Sequence, residues 1–464
     1  MSELSSLLQP DRGQAARTIH LVDPAGFDAW LGQQPPRHRT AIAAQKLKAT
    51  GYAHAILPGE GAEDWSVVSI VANTQQLSPW CLAKLAEVLP AGSYRLASGE
   101  PGPAAFGWLV AQHRFTRYRK DEGAEGPRVL LTSDPARVAD ITRQAAATLL
   151  VRDLVDTGAS DLGPAELEAQ AATLAAAHGA TLTVTKGADL ERGYPMIHTV
   201  GKAAGAGREP RLIELEWGNP AHPRVTIVGK GVCFDSGGLN IKTGGGMALM
   251  KKDMGGAAHA LALATLVVES RLPVRLHLLI PAVENAIAGN AFRPGDVLAT
   301  RKGITVENTN TDAEGRLVLG DALTRAVEAE PELILDFATL TGAARVALGP
   351  DLPATFANDE ELAADLLACA TAEGDPLWRL PLWDAYDDML KSNVADMVNA
   401  PEGGFAGAIT AALFLRRFVP AEIAWAHLDT FAWRPSPKPG RPKGGDAYGL
   451  RAAWAVLRQR YGTR

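Results

Sequence analysis

The sequence predicts an α/β protein in two parts. A smaller N-terminal α/β domain takes residues 1–140, and a long helix joins it to a larger C-terminal α/β domain, helix and domain together covering 141–464. Three observations predict this. Strand-like and helix-like runs alternate along the whole chain. Several strands of the second part are apolar almost throughout, as strands covered by helices tend to be. The 464 residues also exceed one compact unit, since domains usually run to roughly 100–200 residues.

Taken in order, HAILPG (54–59), SVVSIVA (66–72) and YRLASG (94–99) read as strands. PWCLAKLAEVL (79–89) and GPAAFGWLVAQHRF (102–115) read as helices. This first part carries no paired acids, no phosphate-type glycine loop and no metal spacing. PARVADITRQAAATLLVRDLVDT (135–157) is helical and bridges the domains. PAELEAQAATLAAAHG (164–179) is a helix with Pro near its start and Gly at its end. Strands follow at RLIELEW (211–217), RVTIVG (224–229), VRLHLLIPAV (274–283), GITVEN (303–308), LILDFA (333–338) and IAWAHLD (423–429). Helices GGAAHALALATLVVES (255–270) and RLVLGDALTRAVEAE (316–330) lie between them. PSPKPGRPKGG (435–445) is a Pro/Gly/basic stretch expected to be a solvated loop.

The composition, 47% hydrophobic and 21% charged, is that of an ordinary globular protein. A net charge of −6 offers no basic surface for nucleic acid. Cys81, Cys233 and Cys369 are odd in number and widely spaced, so no disulfide framework or CxxC site is expected, and a reducing, cytoplasmic compartment is. MSELSSLLQPDRGQ lacks the basic region and apolar core of a secretory signal. The apolar runs are broken by charges and fall short of the ~20 residues a membrane span needs.

Two segments carry the chemistry. NTDAEGRLVLGDAL (310–323) sets Asp312, Glu314 and Arg316 at alternate positions ahead of a helical run. In an extended backbone alternate side chains share a face, so the three would converge. Carboxylates that close repel each other unless a cation lies between them. The plainer reading is a polar turn whose acids favour the start of the helix. The other segment, VGKGVCFDSGGLNIKTGGGMALMKKDMGGAAHA (228–260), follows a buried-type strand, and ligands collect beyond the carboxyl ends of such strands. It holds Lys230 at the strand end, then Asp235, Lys242 and Asp253, with seven glycines between 229 and 246. GLNIKTGGG is not a phosphate loop, because Lys242 precedes the glycines and no Ser or Thr completes the pattern.

Together Lys230, Asp235, Asp253, Asp312 and Glu314 supply four carboxylates and one amine. Two divalent ions about 3.5–4 Å apart can share Asp and Glu bridges, and carboxylates suit Zn, Mg, Mn and similar ions. A lysine ligates only as the neutral amine; the alternative for Lys230 is a salt bridge to Asp235. No HExxH and no GxSxG elbow occurs. His259 and His277 are expected to pack or hydrogen-bond rather than ligate, and His427, near a strand end, is open.

With these residues in view, the chain resembles the cytosolic leucyl aminopeptidase family, the two-metal M17 metallopeptidases. VGKGVCFDSGGLNIK, MKKDMGGAA and NTDAEGRLVLGDAL carry the resemblance, backed by DFATLTGA (336–343), SNVADMVN (392–399) and GAITAALFLRRF (407–418). It is strong from about residue 150 to the C-terminus and weak before. The resemblance implies a macro-like N-terminal domain and a catalytic domain with a mainly mixed central sheet. It implies hydrolysis of the first residue from peptides with a free α-amine, by a homohexamer; the acidic net charge and the short apolar runs, not the resemblance, argue against a nucleic-acid or membrane partner. Lys230, Asp235, Asp253 and Glu314 would hold a tighter metal ion, and Asp235, Asp312 and Glu314 a more exchangeable one. Zn2+ or Mn2+ is expected there, with Mg2+ or Co2+ as alternatives. Lys242 would polarise the scissile carbonyl. Arg316 would hold a bicarbonate ion acting as general base, cradled by the backbones of Ala313, Gly315 and Leu340. Met250, Asn310 and Thr339 would line the pocket for the first side chain.

The chain departs from the family pattern in two places. TGGGMALMKK, between Lys242 and Asp253, lacks the usual Pro, Ser, Asn and acidic residue. WAHLDTFAW replaces the commoner HLDIAG, so bulky Phe431 stands at a usually small position and the preferred first residue could differ from leucine. Two other readings compete. A two-metal phosphoesterase would also need bridging carboxylates, and a non-catalytic or DNA-binding protein could keep the fold.

Overall fold

The computed structural model describes residues 2–61, 63–119 and 126–462. These form two compact units, Met1–Leu149 with Ser436–Lys443, and Leu150–Pro435 with Gly444–Arg464. The joining helix runs from Val138 to Asp156, and the division between the units falls inside it.

The first unit is built on strands β1 (Leu8–Pro10), β2 (Arg17–Val22), β3 (His54–Pro58), β4 (Trp65–Ile70), β5 (Gly92–Leu96) and β6 (Arg128–Thr132), ordered β1-β6-β5-β2-β4-β3. All neighbours are parallel except β3 and β4. Leu82, Leu85, Tyr94, Trp108 and Leu109 form its core. Trp108 can be wholly buried because its indole N–H donates to the Arg128 carbonyl at 2.8 Å. The expected helices 79–89 and 102–115 are shorter, Ala83–Val88 and Ala104–Val110. Pro101, left-handed Gly102 (φ 48°) and Pro103 delay the start of the second. The loop expected to be solvated is exposed at 435–438 and 442–443 and partly or fully buried between and after them. Buried Gly440 donates its N–H to Glu87 at 2.7 Å, and the Arg441 guanidinium lies 4.2 Å from the centre of the Trp80 ring.

In the second unit β7 (Thr181–Lys186), β8 (Arg211–Trp217), β9 (Arg224–Gly229), β10 (Gly231–Asp235) and β11 (Arg275–Asn285) come first. Then follow β12 (Val297–Ala299), β13 (Thr305–Glu307), β14 (Leu333–Ala338), β15 (Ala354–Ala357), β16 (Trp378–Arg379), β17 (Met397–Val398) and β18 (Ala424–Asp429). Among the described residues the main sheet has nine strands, ordered β16-β15-β18-β14-β9-β11-β8-β7, with β10 on β11. The sheet is mixed. Its centre, β18-β14-β9-β11, is parallel, while β8 runs antiparallel to β11 and β15 to β18. The carboxyl ends of β9, β14 and β18 therefore lie at one edge of the sheet and present Lys230, Thr339 and Asp429 there.

Two local expectations change. Gly231–Asp235, expected as glycine loop, is a strand, because Gly231 and Val232 continue the ladder on Ala282 and Val283. Residues 312–316 are not extended. Asp312 sits in a turn, Ala313 caps the helix Glu314–Val327, and Glu314 and Arg316 lie in its first turn. The polar-turn reading is right about the backbone, and convergence of the acids comes from tertiary folding instead.

Three histidines of the second unit are structural, as expected for His259 and His277. His259 Nδ1 donates to Gly255 O (2.7 Å) while Nε2 accepts the Tyr448 N–H (3.1 Å), which fixes a neutral ring. His277 meets Glu214 at 2.8 Å. His427, left open by the sequence, pairs with buried Asp336 on the adjacent strand, and the Trp425 indole donates to the other Asp336 oxygen at 2.6 Å.

The helix Gly255–Glu269 packs onto β9 and β14 through two glycines. A Cβ on Gly229 would fall 2.7 Å from Ala257 Cα, and one on Gly256 would fall 2.2 Å from the Phe337 carbonyl and 2.9 Å from the Lys230 nitrogen. Backbone cannot retreat from such a contact. Gly256→Ala is expected to cost about 1–3 kcal/mol, read as a lowered midpoint in urea. Gly289→Ala, whose Cβ would meet nothing within 4 Å, should stay within about 0.5 kcal/mol. Equal midpoints for the two variants would refute the close-packing account.

Candidate metal centre

Lys230 follows β9 and keeps its backbone in the sheet, its N–H donating to Phe337 O at 2.9 Å and its carbonyl accepting from Ala257 at 2.8 Å. Its side chain is buried, with Nζ 2.6 Å from Asp253 Oδ2, 3.0 Å from Glu314 Oε1 and 3.0 Å from Thr339 O. The salt bridge expected as the alternative, to Asp235, is replaced by these two. Gly315 makes room for the lysine, since a Cβ there would lie 2.5 Å from Lys230 Cε and 2.8 Å from Nζ. Asp235 ends β10, and Lys242 Nζ reaches it at 2.7 Å while also pairing with Asp312. One carboxylate oxygen each from Asp235, Asp312 and Glu314 lies within 4.8 Å of the others. Asp235, Asp253 and Glu314 are buried, whereas Asp312 is half-exposed.

The electrostatics follow from burial and crowding. Burial, reinforced by Asp235, pushes the Glu314 carboxyl up, and burial with the Asp253 charge raises Asp235. For Asp253 burial is outweighed by Lys230 and Lys252, which hold it below its usual range. Burial pulls Lys230 down, but Asp253, Glu314 and Asp235 together lift it above the ordinary lysine range. A cation is thus what this cluster asks for. Glu314 Oε2 is buried and has no hydrogen-bond donor among the described residues. Four clustered carboxylates with an orphaned oxygen fit divalent ions. Lys230 fits as a ligand only by giving up its proton, so binding would exchange protons for metal charge.

Neighbouring residues the sequence did not single out hold these side chains in place. Asn285, at the end of β11, donates to Asp235 Oδ1 (2.9 Å) and to Thr311 O (3.0 Å). Thr311 Oγ1 donates to Gly237 O (2.6 Å) and accepts from the Asn240 amide (2.8 Å), tying the Asp312 turn to the Asp235 loop. That loop turns at Gly237 and Gly238, with φ of 85° and 60°. Asn399 accepts the Thr309 N–H at 2.8 Å, donates to Asn308 Oδ1 at 2.9 Å and to Asn310 O at 2.7 Å, and its carbonyl takes Arg316 Nη1 at 2.7 Å. Period and spacing do not mark an asparagine for such a role.

The structure places the other predicted residues as follows. Arg316 is buried, its Nε has no acceptor among the described residues, and burial lowers its pKa to about 10. Of the three backbones expected around an anion there, the Ala313 amide already donates to Asn310 O (3.1 Å) and the Leu340 amide to Asp429 Oδ1 (3.0 Å). Gly315, in the first turn of its helix, has an amide with no partner inside the helix. Thr339, expected in the pocket, is buried, and its hydroxyl meets Asp253 O and Oδ1, both at 2.9 Å. Asn310 Oδ1 accepts the Asp312 amide at 2.9 Å. Met250 lies on the single turn Met250–Met254 that ends at the Asp253 segment.

Comparison with known proteins agrees with this centre. Residues 149–453 match the model of the cytosol aminopeptidase family catalytic domain, and residues 18–130 match that of the M17 aminopeptidase N-terminal domain. A probable cytosol aminopeptidase of Roseiflexus castenholzii is 37% identical over 476 residues, covering 98% of this chain and 93% of that protein. The crystal structure of the cytosol aminopeptidase from Coxiella burnetii superposes with a TM-score of 0.92 at 44% identity, over 98% of this chain and 99% of the other. The bottromycin maturation enzyme BotP in complex with Mn superposes at 0.86 with 32% identity, over 96% and 100%. The chain belongs to the cytosol aminopeptidase family and is a metal-dependent aminopeptidase.

The contact between Gly315 and Lys230 is testable. Gly315→Ala should fold, yet displace Lys230 and weaken metal retention by at least tenfold, the scale seen when a ligand's support is lost. Metal content after dialysis against graded chelator checks this, and wild-type retention would show that Lys230 does not depend on the glycine.

Proposed function

We propose that this member of the cytosol aminopeptidase family removes the first residue from peptides bearing a free α-amine, with Lys230, Asp235, Asp253 and Glu314 holding one divalent ion and Asp235, Asp312 and Glu314 another. The observation that carries the reading is the burial of Lys230, Asp235, Asp253 and Glu314 around one point at the carboxyl end of the sheet. The half-exposure of Asp312 supports its ion being the more exchangeable. Zn2+ or Mn2+ suits the donor set, and the Mn in the related BotP complex supports manganese. When bound, the ions supply Lewis acidity for a peptide carbonyl and a water.

The chain's own groups do the rest. Lys242 carries a positive charge into the acid cluster, held above its usual range by Asp235 and Glu314 against the pull of burial. There it meets the carbonyl oxygen as that atom gains negative charge, an interaction worth most in a dry site. Arg316, with its orphaned Nε, would hold a bicarbonate ion, with the Gly315 amide as a second donor, and that ion would supply a base for the water's proton. Asp253 faces the substrate's α-amine, which ties cleavage to the first residue. Met250, Asn310 and Thr339 border the first side chain, Thr339 also keeping Asp253 in place.

A closed homohexamer and a cytoplasmic location are part of the same reading. Family membership supports both, and the three cysteines, all free and buried, agree with a reducing compartment. No helix among the described residues is long and apolar enough to cross a membrane. Light scattering should give six times the chain mass, and a monomer at working concentration would reject the assembly.

Chelation should abolish hydrolysis of a leucyl amide, and added Mn2+ or Zn2+ should restore it. Lys242→Ala should lower kcat by about 10²–10³ while metal content stays near two ions per chain. Glu314→Ala should instead empty or weaken both sites. N-acetyl-leucyl amide should be inert; its cleavage at the rate of the free amine would break the exopeptidase assignment. A metal-depleted Lys242→Ala protein would make Lys242 structural.

A further inference from the structure

Beyond Asp429 the chain still runs beside β14, with the Thr430 N–H donating to Ala338 O at 2.8 Å. Ala432, left-handed at φ 53°, then presses on Gly255, where a Cβ would fall 2.5 Å from Ala432 Cβ and 3.0 Å from Thr339 Cγ2. Phe431 lies between these contacts, half-buried at the rim of the centre. Two cations flank its ring. Lys252 Nζ stands 5.4 Å from the ring centre and the Arg345 guanidinium carbon 4.9 Å from it. Lys252 is buried, and its charge is answered by Asp253 Oδ1 at 3.3 Å. Arg345 lies on the helix Gly342–Leu348 just after Thr339, is exposed, and has no carboxylate within ion-pair distance among the described residues. The two cations share one electrostatic neighbourhood, since Lys252, lowered chiefly by burial, also feels Arg345.

We propose that Phe431 and Arg345 form the outer wall of the first-residue pocket and favour peptides whose first side chain is a carboxylate. This rests on the aminopeptidase reading, in which the α-amine sits at Asp253. Lys252 links Asp253 to the Phe431 ring and Arg345, so a first side chain extending past Lys252 would reach them. A lysine or arginine side chain would meet two like charges. An apolar one would cover an unpaired guanidinium, which costs desolvation without return. A glutamate lays its methylenes on the Phe431 ring and gives Arg345 the planar partner its fork matches.

The test compares kcat/KM of the metal-loaded enzyme on glutamyl, glutaminyl, lysyl and leucyl p-nitroanilides. Glutamyl and glutaminyl side chains have the same shape and differ in charge. Wild type should favour glutamyl over glutaminyl by about threefold or more at low salt, the scale of an exposed ion pair. The ratio should shrink with added salt, and lysyl should be the slowest. In Arg345→Gln the ratio should fall to about one, and in Arg345→Lys it should stay above one. Because each ratio is internal to one protein, a change in folded fraction cannot mimic it. A wild-type ratio at or below one, or the same ratio in Arg345→Gln, would overturn the proposal while leucyl cleavage left the aminopeptidase reading standing. Failure to cleave any of the four would overturn both.

Discussion

The second unit is organised around one lysine that has no water to solvate it. Lys230 sits at the end of β9 with its ammonium among Asp253, Glu314 and the Thr339 carbonyl. Removing one member of such a buried set strands the remaining charge, at a cost of about 3–5 kcal/mol. The surrounding chain is therefore committed to delivering each acid to the same point. It does so from separate elements: a turn before one helix, the first turn of another, and the end of a short edge strand. In the two-ion reading proposed above, the same arrangement would let the centre trade its own cation for divalent ions, since the acids are already held where positive charge is needed.

Close approach of backbones makes the delivery possible. Gly229 and Gly256 let a helix start directly on the sheet beside Lys230, and Gly315 lets the next helix pass over its side chain. None of these glycines has positive φ, so what they contribute is space rather than conformational freedom. The turns that do need left-handed backbone, Gly237 and Gly238, lie between Asp235 and Lys242 and fold that loop back toward Thr311.

Uncharged amides hold the acids in orientation. Asn285 and Asn399 each bind two segments, and between them they fix Asp235, the 308–313 turn and the arginine beyond it. Asparagine suits this because it offers both donors and an acceptor without adding a charge to an already crowded site. Asp429 does comparable work at the end of β18, taking the Leu340 and Thr341 amides at 3.0 and 3.1 Å and so engaging one of the backbones expected to serve an anion.

The sequence by itself determined the two-part α/β plan, because buried parallel strands need long apolar runs and helices between them, and both are local patterns. It also singled out Lys230, Asp235, Asp253, Asp312 and Glu314 as candidate donors, since they are among the charged residues of its two unusual segments. Their expected alternation on an extended strand was the wrong reason for their meeting: the backbone at 312–316 enters a helix, and the acids converge because β9, β10 and two helix starts end at one edge of the sheet. Only the tertiary structure decided that Lys230 pairs with Asp253 and Glu314 rather than Asp235, and that Thr339 binds Asp253. It alone gave Asn285 and Asn399 the inner supports, and brought Arg345 and Lys252 to one aromatic ring. Those assignments join residues tens to more than a hundred positions apart. No period or spacing encodes such a distance; it is set by the register of strands and the few ångströms that particular glycines leave open.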